Sequence, residues 1–224
     1  MQSFADNIIN FYKKIIPPPK LPKEVGILYP QQKKEVITIV EQFYKKYYSD
    51  NNPRTLVFGI NPGRFGAGIT GINFTAPKQL AENCGIPHPF KMQSELSAEF
   101  IYEAIERYGT VEKFYTDFFI TSVSPLGYIK DGINLNYYDD AILQKAVTPF
   151  IIECINKQSE WNVNHGKCIC IGGEKNFKFF THLNNEHHWF NDIIPLPHPR
   201  FILQYRRKAK EIYLSQYLAA FRNV

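Results

Sequence analysis

Four short apolar runs stand out along the chain, at residues 55–60, 118–123, 167–171 and 192–196. Each is bounded by turn-forming residues, is rich in Val, Ile, Phe or Cys, and shows little polar alternation. That pattern predicts strands covered on both faces. The spans between them repeat apolar residues at helical spacing. Residues 97–108 place Phe100, Ile101, Ala104, Ile105 and Tyr108 on one side, with Gly109 as a stop signal. Residues 138–156 do the same with Ile142, Val147, Ile151 and Ile155, and residues 174–183 and 204–221 supply two further helices. Upstream, an N-terminal helix carries an apolar face of Phe4, Ile8, Phe11 and Ile15, and the segment PPPKLPK at 17–23 follows as a stiff connector. A helix over residues 32–48 turns Val36, Ile39, Val40 and Phe43 inward and Lys33, Lys34, Lys45 and Lys46 outward. Strands alternating with helices imply an α/β chain, a three-layer α/β/α sandwich around a four-stranded parallel sheet. The length of 224 residues suits one domain over 1–224, with the helix and connector of residues 1–28 packed on it.

In sheets of this kind ligands sit beyond the carboxyl ends of the strands, so the residues there carry the candidate chemistry. After the first run comes GINPGRFGAGITG, whose five glycines let backbone approach a ligand closely. No Lys-Ser/Thr pair follows, which argues against a phosphate-binding P-loop; alone, Asn-Pro-Gly is a turn signal. The second run ends in Thr121-Ser122-Val123-Ser124-Pro125. The fourth ends in Leu196-Pro197-His198-Pro199-Arg200, ahead of a basic helix with Arg206, Arg207, Lys208 and Lys210. A histidine between two prolines has a restricted backbone, and its place at a strand's carboxyl end makes it a candidate ligand-binding group.

Composition narrows the classes further. A net charge of +5 permits a polyanionic partner without demanding one. No apolar run approaches the roughly 20 residues needed to span a bilayer, and the N-terminus lacks the features of a signal peptide. A soluble, intracellular chain is expected. Cys84, Cys154, Cys168 and Cys170 form no CxxC pair, and Cys168 and Cys170 alternate within a strand, so buried thiols are expected rather than metal ligands or an iron–sulfur cluster. His187-His188 reads as a surface loop, since adjacent residues rarely converge on one ion.

Together, GINPGRFGAGITGINF, the stretch QSELSAEFIYEAIERYGTVEKFYTDFFITSVSPL and His198-Pro199 resemble the single-strand-selective monofunctional uracil-DNA glycosylases, a branch of the uracil-DNA glycosylase superfamily. The chain is most similar to a bacterial group described as the second such family, over most of its length from about Tyr29. The resemblance implies a four-stranded parallel sheet between helices, no metal or organic cofactor, and DNA as partner. It implies a monomer in the bacterial cytoplasm, associated with the nucleoid. By the same resemblance Asn61 holds the attacking water, Gly63 leaves room for the flipped nucleotide, Phe74 stacks on the extruded base, and His198 donates to the base oxygen that gathers charge. Ile60 and Ser122 complete the base pocket, while Arg64, Arg200, Arg206 and Arg207 would contact DNA.

The chemistry fits without the family. Asparagine cannot remove a proton, so Asn61 can orient water but cannot be a general base; catalysis must then come from stabilising the departing base, a task for a fixed imidazole. Phe201 to Gln204 could wedge into the vacated stack, although Phe201 and Leu203 are equally well core residues. Uracil-specific members usually have Asn where this chain has Ser122, and more often Pro where it has Arg64. The short hydroxyl leaves room for larger deaminated bases such as xanthine or hypoxanthine. Three alternatives stay open: a purine-directed glycosylase on the same scaffold, a catalytically silent DNA-binding module, and a hydrolase pairing Ser122 or Ser124 with His198. The last lacks a GxSxG elbow and an acidic partner.

Overall fold

A computed structural model describes residues 2–224. In chain order the elements are α1 (Phe4–Lys14), β1 (Val25–Leu28), α2 (Lys34–Tyr47), β2 (Thr55–Gly59), α3 (Ala67–Thr70), α4 (Pro77–Glu82), α5 (Leu96–Tyr108), α6 (Val111–Asp117), β3 (Phe118–Ser122), β4 (Gly127–Lys130), β5 (Ile133–Leu135), α7 (Ala141–Ser159), β6 (Lys167–Ile171), α8 (Gly173–His187), β7 (Asp192–Leu196), α9 (Pro199–Tyr205) and α10 (Lys210–Arg222). The four apolar runs form one parallel sheet in the order β3-β2-β6-β7, with Val57 opposite both Ile120 and Ile169. Helices flank it, which explains why its strands carry apolar residues on both faces: central β2 is buried at every position and central β6 at all but its first, and even the edge strand β3 is buried throughout. The fold is therefore the expected α/β sandwich. Pro195 is tolerated within β7 because that strand lies at the sheet's edge.

Apolar burial continues into the N-terminal helix. Phe4, Ile8, Ile9, Phe11 and Tyr12 of α1 join the same core as the sheet, and α1 packs on α2. Ser3 and Asp6 close a capping box at its start. Beneath this helix lies Arg54, whose side chain is fully buried. Its guanidinium bonds the Asp50 carboxylate and the carbonyls of Asn52 (2.7 Å) and Tyr115 (3.4 Å), and it lies 5.2 Å from the Phe4 ring centroid and 5.3 Å from that of Tyr48. The four cysteines are all buried and unpaired.

Three expectations are corrected. The basic helix over 204–221 is two helices: Arg206 leaves helical geometry at φ −131°, ψ 27°, and Arg207 Nε donates to the Leu203 carbonyl (3.2 Å), satisfying the end of α9. Helix α7 begins at Ala141 rather than 138, because Asp140 accepts from Leu143 N (2.8 Å) as its cap, and Ile142 is 70% exposed while Leu143 takes the buried position. His187 closes helix α8 rather than lying in a loop, and its ring stacks 4.8 Å from that of Trp189. A second, antiparallel sheet, β1-β4-β5, also went unread. Its β4–β5 turn, Asp131-Gly132, has positive φ at both residues (51° and 71°), as a type I′ hairpin turn requires.

Candidate active site

A cleft of about 360 Å³ opens beyond the carboxyl ends of β2, β3, β6 and β7. Asn61, Phe74, Ser122 and His198 all line it, so residues spread over 138 positions of sequence converge on one space.

The floor is built by the chain after α3. Thr70 Oγ1 donates to the Thr75 carbonyl (2.6 Å) and accepts from Ile72 N (3.2 Å), tying residues 70–75 into a buried turn. At its tip Phe74 is held at φ +53°, in the left-handed region where bulky residues are rare. That conformation lays the ring over the end of β2: a Cβ on Gly59 would come within 2.8 Å of Phe74 Cε2, so only glycine admits this packing. The ring lies 6.0 Å from the His198 ring at 42°.

Asn61 is fixed by backbone alone. Its Oδ1 accepts from Tyr137 N (3.1 Å), just beyond β5, and its Nδ2 donates to the carbonyl of Leu135 (3.3 Å), the last residue of β5. Because a backbone N–H only donates and a carbonyl only accepts, these partners determine which end of the amide is which. Oδ1 keeps one lone pair free.

His198 is the N-cap of α9, and its Nδ1 accepts from Arg200 N (3.2 Å). That bond places the neutral ring's hydrogen on Nε2, the nitrogen left free. Burial holds the imidazole's pKa down to about 4, with the Arg200 charge as a smaller cause, so the ring is neutral near pH 7. Tyr217 of α10 donates to the Pro197 carbonyl and anchors the preceding residue.

Ile60 and Gly63 also line the cleft, and a Cβ on Gly63 would approach Asn134 Nδ2 to 3.3 Å. Ser122 Oγ donates to Asn73 Oδ1 (2.8 Å). Of the four arginines, only Arg200 lines the cleft. Arg64 is tied to the β4–β5 hairpin through the Gly132 carbonyl and Asn134 Oδ1, Arg206 lies 5.7 Å from the ring of Phe201, and Arg207 sits beside Glu99, Glu103 and Lys210 instead. The placement of Arg207 follows from the break between α9 and α10. The wedge alternatives separate: Phe201 is 42% exposed at the cleft, joined by Gln204 and Tyr205, whereas Ile202 and Leu203 are core.

Asn73 and Glu95 are among the cleft residues that escaped the sequence reading. Asn73 lies one residue before Phe74, inside the quoted GINPGRFGAGITGINF stretch. Glu95 stands within the quoted Gln-Ser-Glu run. It occupies the N-cap of α5 yet makes no capping bond; its carboxylate turns into the cleft, where a Cβ on Gly66 would collide with Oε2. Desolvation raises its pKa, against an opposing pull from Arg200. Among the described residues no group of three or more His, Cys, Asp or Glu could hold a metal ion.

The family described as the uracil DNA glycosylase superfamily matches residues 45–222. The solved structure of SMUG2 from Pedobacter heparinus is 44% identical, with a TM-score of 0.95, over 99% of this chain and 98% of that one. No curated protein matches the sequence. With the sheet, the glycine-rich loop and the His-Pro segment in these positions, the chain belongs to the uracil DNA glycosylase superfamily, in its SMUG2-like branch, and is a DNA glycosylase.

Proposed function

We propose that this protein is a monofunctional DNA glycosylase that hydrolyses the N-glycosidic bond of uracil and related deaminated bases in DNA. The observation that carries the proposal is the shared cleft of Asn61 and His198, with the Phe74 ring between its walls. A nucleotide turned out of the stack would lay its base against Phe74, a contact worth ~1–3 kcal/mol. A water held on the free lone pair of Asn61 Oδ1 would lie on the sugar side. As the bond breaks, the sugar becomes oxocarbenium-like and the base leaves as an anion. The Nε2–H of a neutral His198 donates to the base oxygen where that charge collects, and the water then adds to the sugar carbon, losing its proton to solvent. A neutral donor has an advantage here, since it stabilises the developing anion without protonating the base beforehand. One such donor is worth on the order of 2.7–4 kcal/mol of barrier.

DNA would be held by Arg200 at the cleft and by Arg64 and Arg206 beside it, with Phe201 and Tyr205 as the exposed aromatics able to fill the vacated stack. The protein acts as a monomer in this reading. A preference for xanthine and hypoxanthine is the second reading, favoured by the short Ser122 side chain. The test is a panel of uracil-, hypoxanthine- and xanthine-containing oligonucleotides, assayed with EDTA for abasic-site formation. Release of at least one base is expected, with single-turnover rates in Asn61→Ala and His198→Ala reduced ~100-fold or more and DNA binding retained. Binding without release of any base would leave a silent module. Near-normal rates in both variants would defeat the assignment.

A further inference from the structure

We infer that Asn73 is the side chain that reads the hydrogen-bonding edge of the extruded base, and that Tyr12 of α1 positions its amide from behind. This rests on the glycosylase reading above and extends it to base discrimination.

Asn73 is only 5% exposed, yet it lines the cleft beside Phe74. Its two ends are bonded to hydroxyls: Oδ1 accepts from Ser122 Oγ (2.8 Å), and Nδ2 donates to Tyr12 Oη (3.2 Å). A carboxamide carries two N–H donors and two acceptor lone pairs. One of each therefore remains, on a residue adjoining the ring over which a base would stack. Ser122 occupies the end of β3, where the resemblance leads one to expect an amide; the amide is instead its hydrogen-bond partner, delivered from the turn after α3.

The remaining donor and acceptor suit deaminated bases. Deamination converts an amino donor into a carbonyl acceptor and the neighbouring ring nitrogen from acceptor to N–H donor. Uracil and hypoxanthine thus offer an N–H and a C=O side by side, the reverse of cytosine and adenine, and xanthine presents the same pair. An amide whose oxygen accepts from the ring N–H, and whose nitrogen donates to the carbonyl, pairs with all three. Guanine shares this pair of groups, so its rejection falls to whatever faces its 2-amino group.

Such reading needs the amide held in one place and one plane. Both of its partners are hydroxyls, which bond either end of an amide, so they fix where the carboxamide lies and not which end is which; Ser122 alone would leave it free to swing. The Tyr12 hydroxyl, fully buried with its ring in the core, holds the opposite end. The N-terminal helix thereby reaches the base pocket through one hydrogen bond.

The experiment compares Asn73→Leu, Asn73→Asp and Tyr12→Phe with the parent protein. Single-turnover excision of uracil, hypoxanthine and xanthine is measured in one sequence context, together with binding to an oligonucleotide bearing a tetrahydrofuran abasic site. Asn73→Leu is expected to slow excision about 10- to 100-fold, the worth of one or two buried hydrogen bonds, without weakening abasic-site binding. Asn73→Asp should change the ratio of rates among the lesions, since the donor becomes an acceptor. Tyr12→Phe should lower the maximal rate roughly 3- to 10-fold and shift that ratio, with the half-saturating enzyme concentration unchanged. A parent protein that releases no base would refute the glycosylase reading itself. An active parent whose Asn73→Leu variant keeps its rates and lesion ratio, or loses abasic-site binding in step with rate, would refute the inference about Asn73. An unchanged lesion ratio in Tyr12→Phe would refute the role of Tyr12.

Discussion

Replacing His198 with Asn separates its charge state from its capping role. Asparagine retains a side-chain oxygen able to cap α9 but does not titrate. In the fold, burial lowers the imidazole pKa from 6.5 to about 4. The native protein therefore keeps the ring neutral, while the unfolded chain takes up a proton as the pH falls below 6.5. Stability is lost progressively across that window and the loss is complete below about 4. A gap of this size corresponds to on the order of 3 kcal/mol in full, of which about 2 kcal/mol is felt by pH 5. Urea denaturation at pH 8 and pH 5 measures it: the parent should lose about 2 kcal/mol more than His198→Asn between the two, equivalent to roughly 4–8 °C in Tm for a chain of this length. Excision by the parent should show no inflection near pH 6.5. Parallel losses in the two proteins would mean that the ring titrates in the fold as it does in water. The picture of a neutral, pre-set donor would then be wrong.

Glu95→Gln should raise Tm at pH 8, because the parent holds a half-buried, partly desolvated carboxylate that makes no hydrogen bond. With the native pKa raised, the parent is penalised above the unfolded carboxylate range, so the gain should shrink as the pH falls through that range; an equal gain at pH 4 and pH 8 would contradict it. Arg54→Leu should cost on the order of 3 kcal/mol by urea denaturation, since it strands the carbonyls of Asn52 and Tyr115, while leaving excision of the folded fraction unchanged. Phe201→Ala with Tyr205→Ala should weaken binding to lesion-bearing DNA by ~1–3 kcal/mol per lost ring, as read by fluorescence anisotropy. Unaltered affinity would place the aromatic contacts elsewhere.

The parallel sheet was legible because its four strands are buried on both faces, leaving uninterrupted apolar runs bounded by turns. The β1-β4-β5 sheet was not, because its strands are short and half-exposed: Ile133 is 66% exposed and β1 has no fully buried residue. Its one clear signal was Asp131-Gly132 between alternating residues. His198 stood out as a cleft residue because two prolines and a preceding strand mark a sharp strand-end turn, whereas Asn-Pro-Gly alone read as a turn and Asn61 was singled out only through the resemblance. Asn73 was not singled out because what marks it is its place in the cleft and its bonds to Tyr12 and Ser122, which lie 61 and 49 positions away. The break at Arg206 was hidden because apolar residues continue at helical spacing on both sides of it.

The bond from Arg200 N to the His198 ring gives α9 an influence beyond support. A backbone amide, itself part of a helix's first turn, selects the nitrogen on which the imidazole carries its hydrogen. Fraying of that turn would release the selection, and a ring of unchanged position could then face the cleft with a bare lone pair. Changes that loosen α9 from its buried side, at Ile202 for instance, would silence the donor without altering any atom that touches DNA.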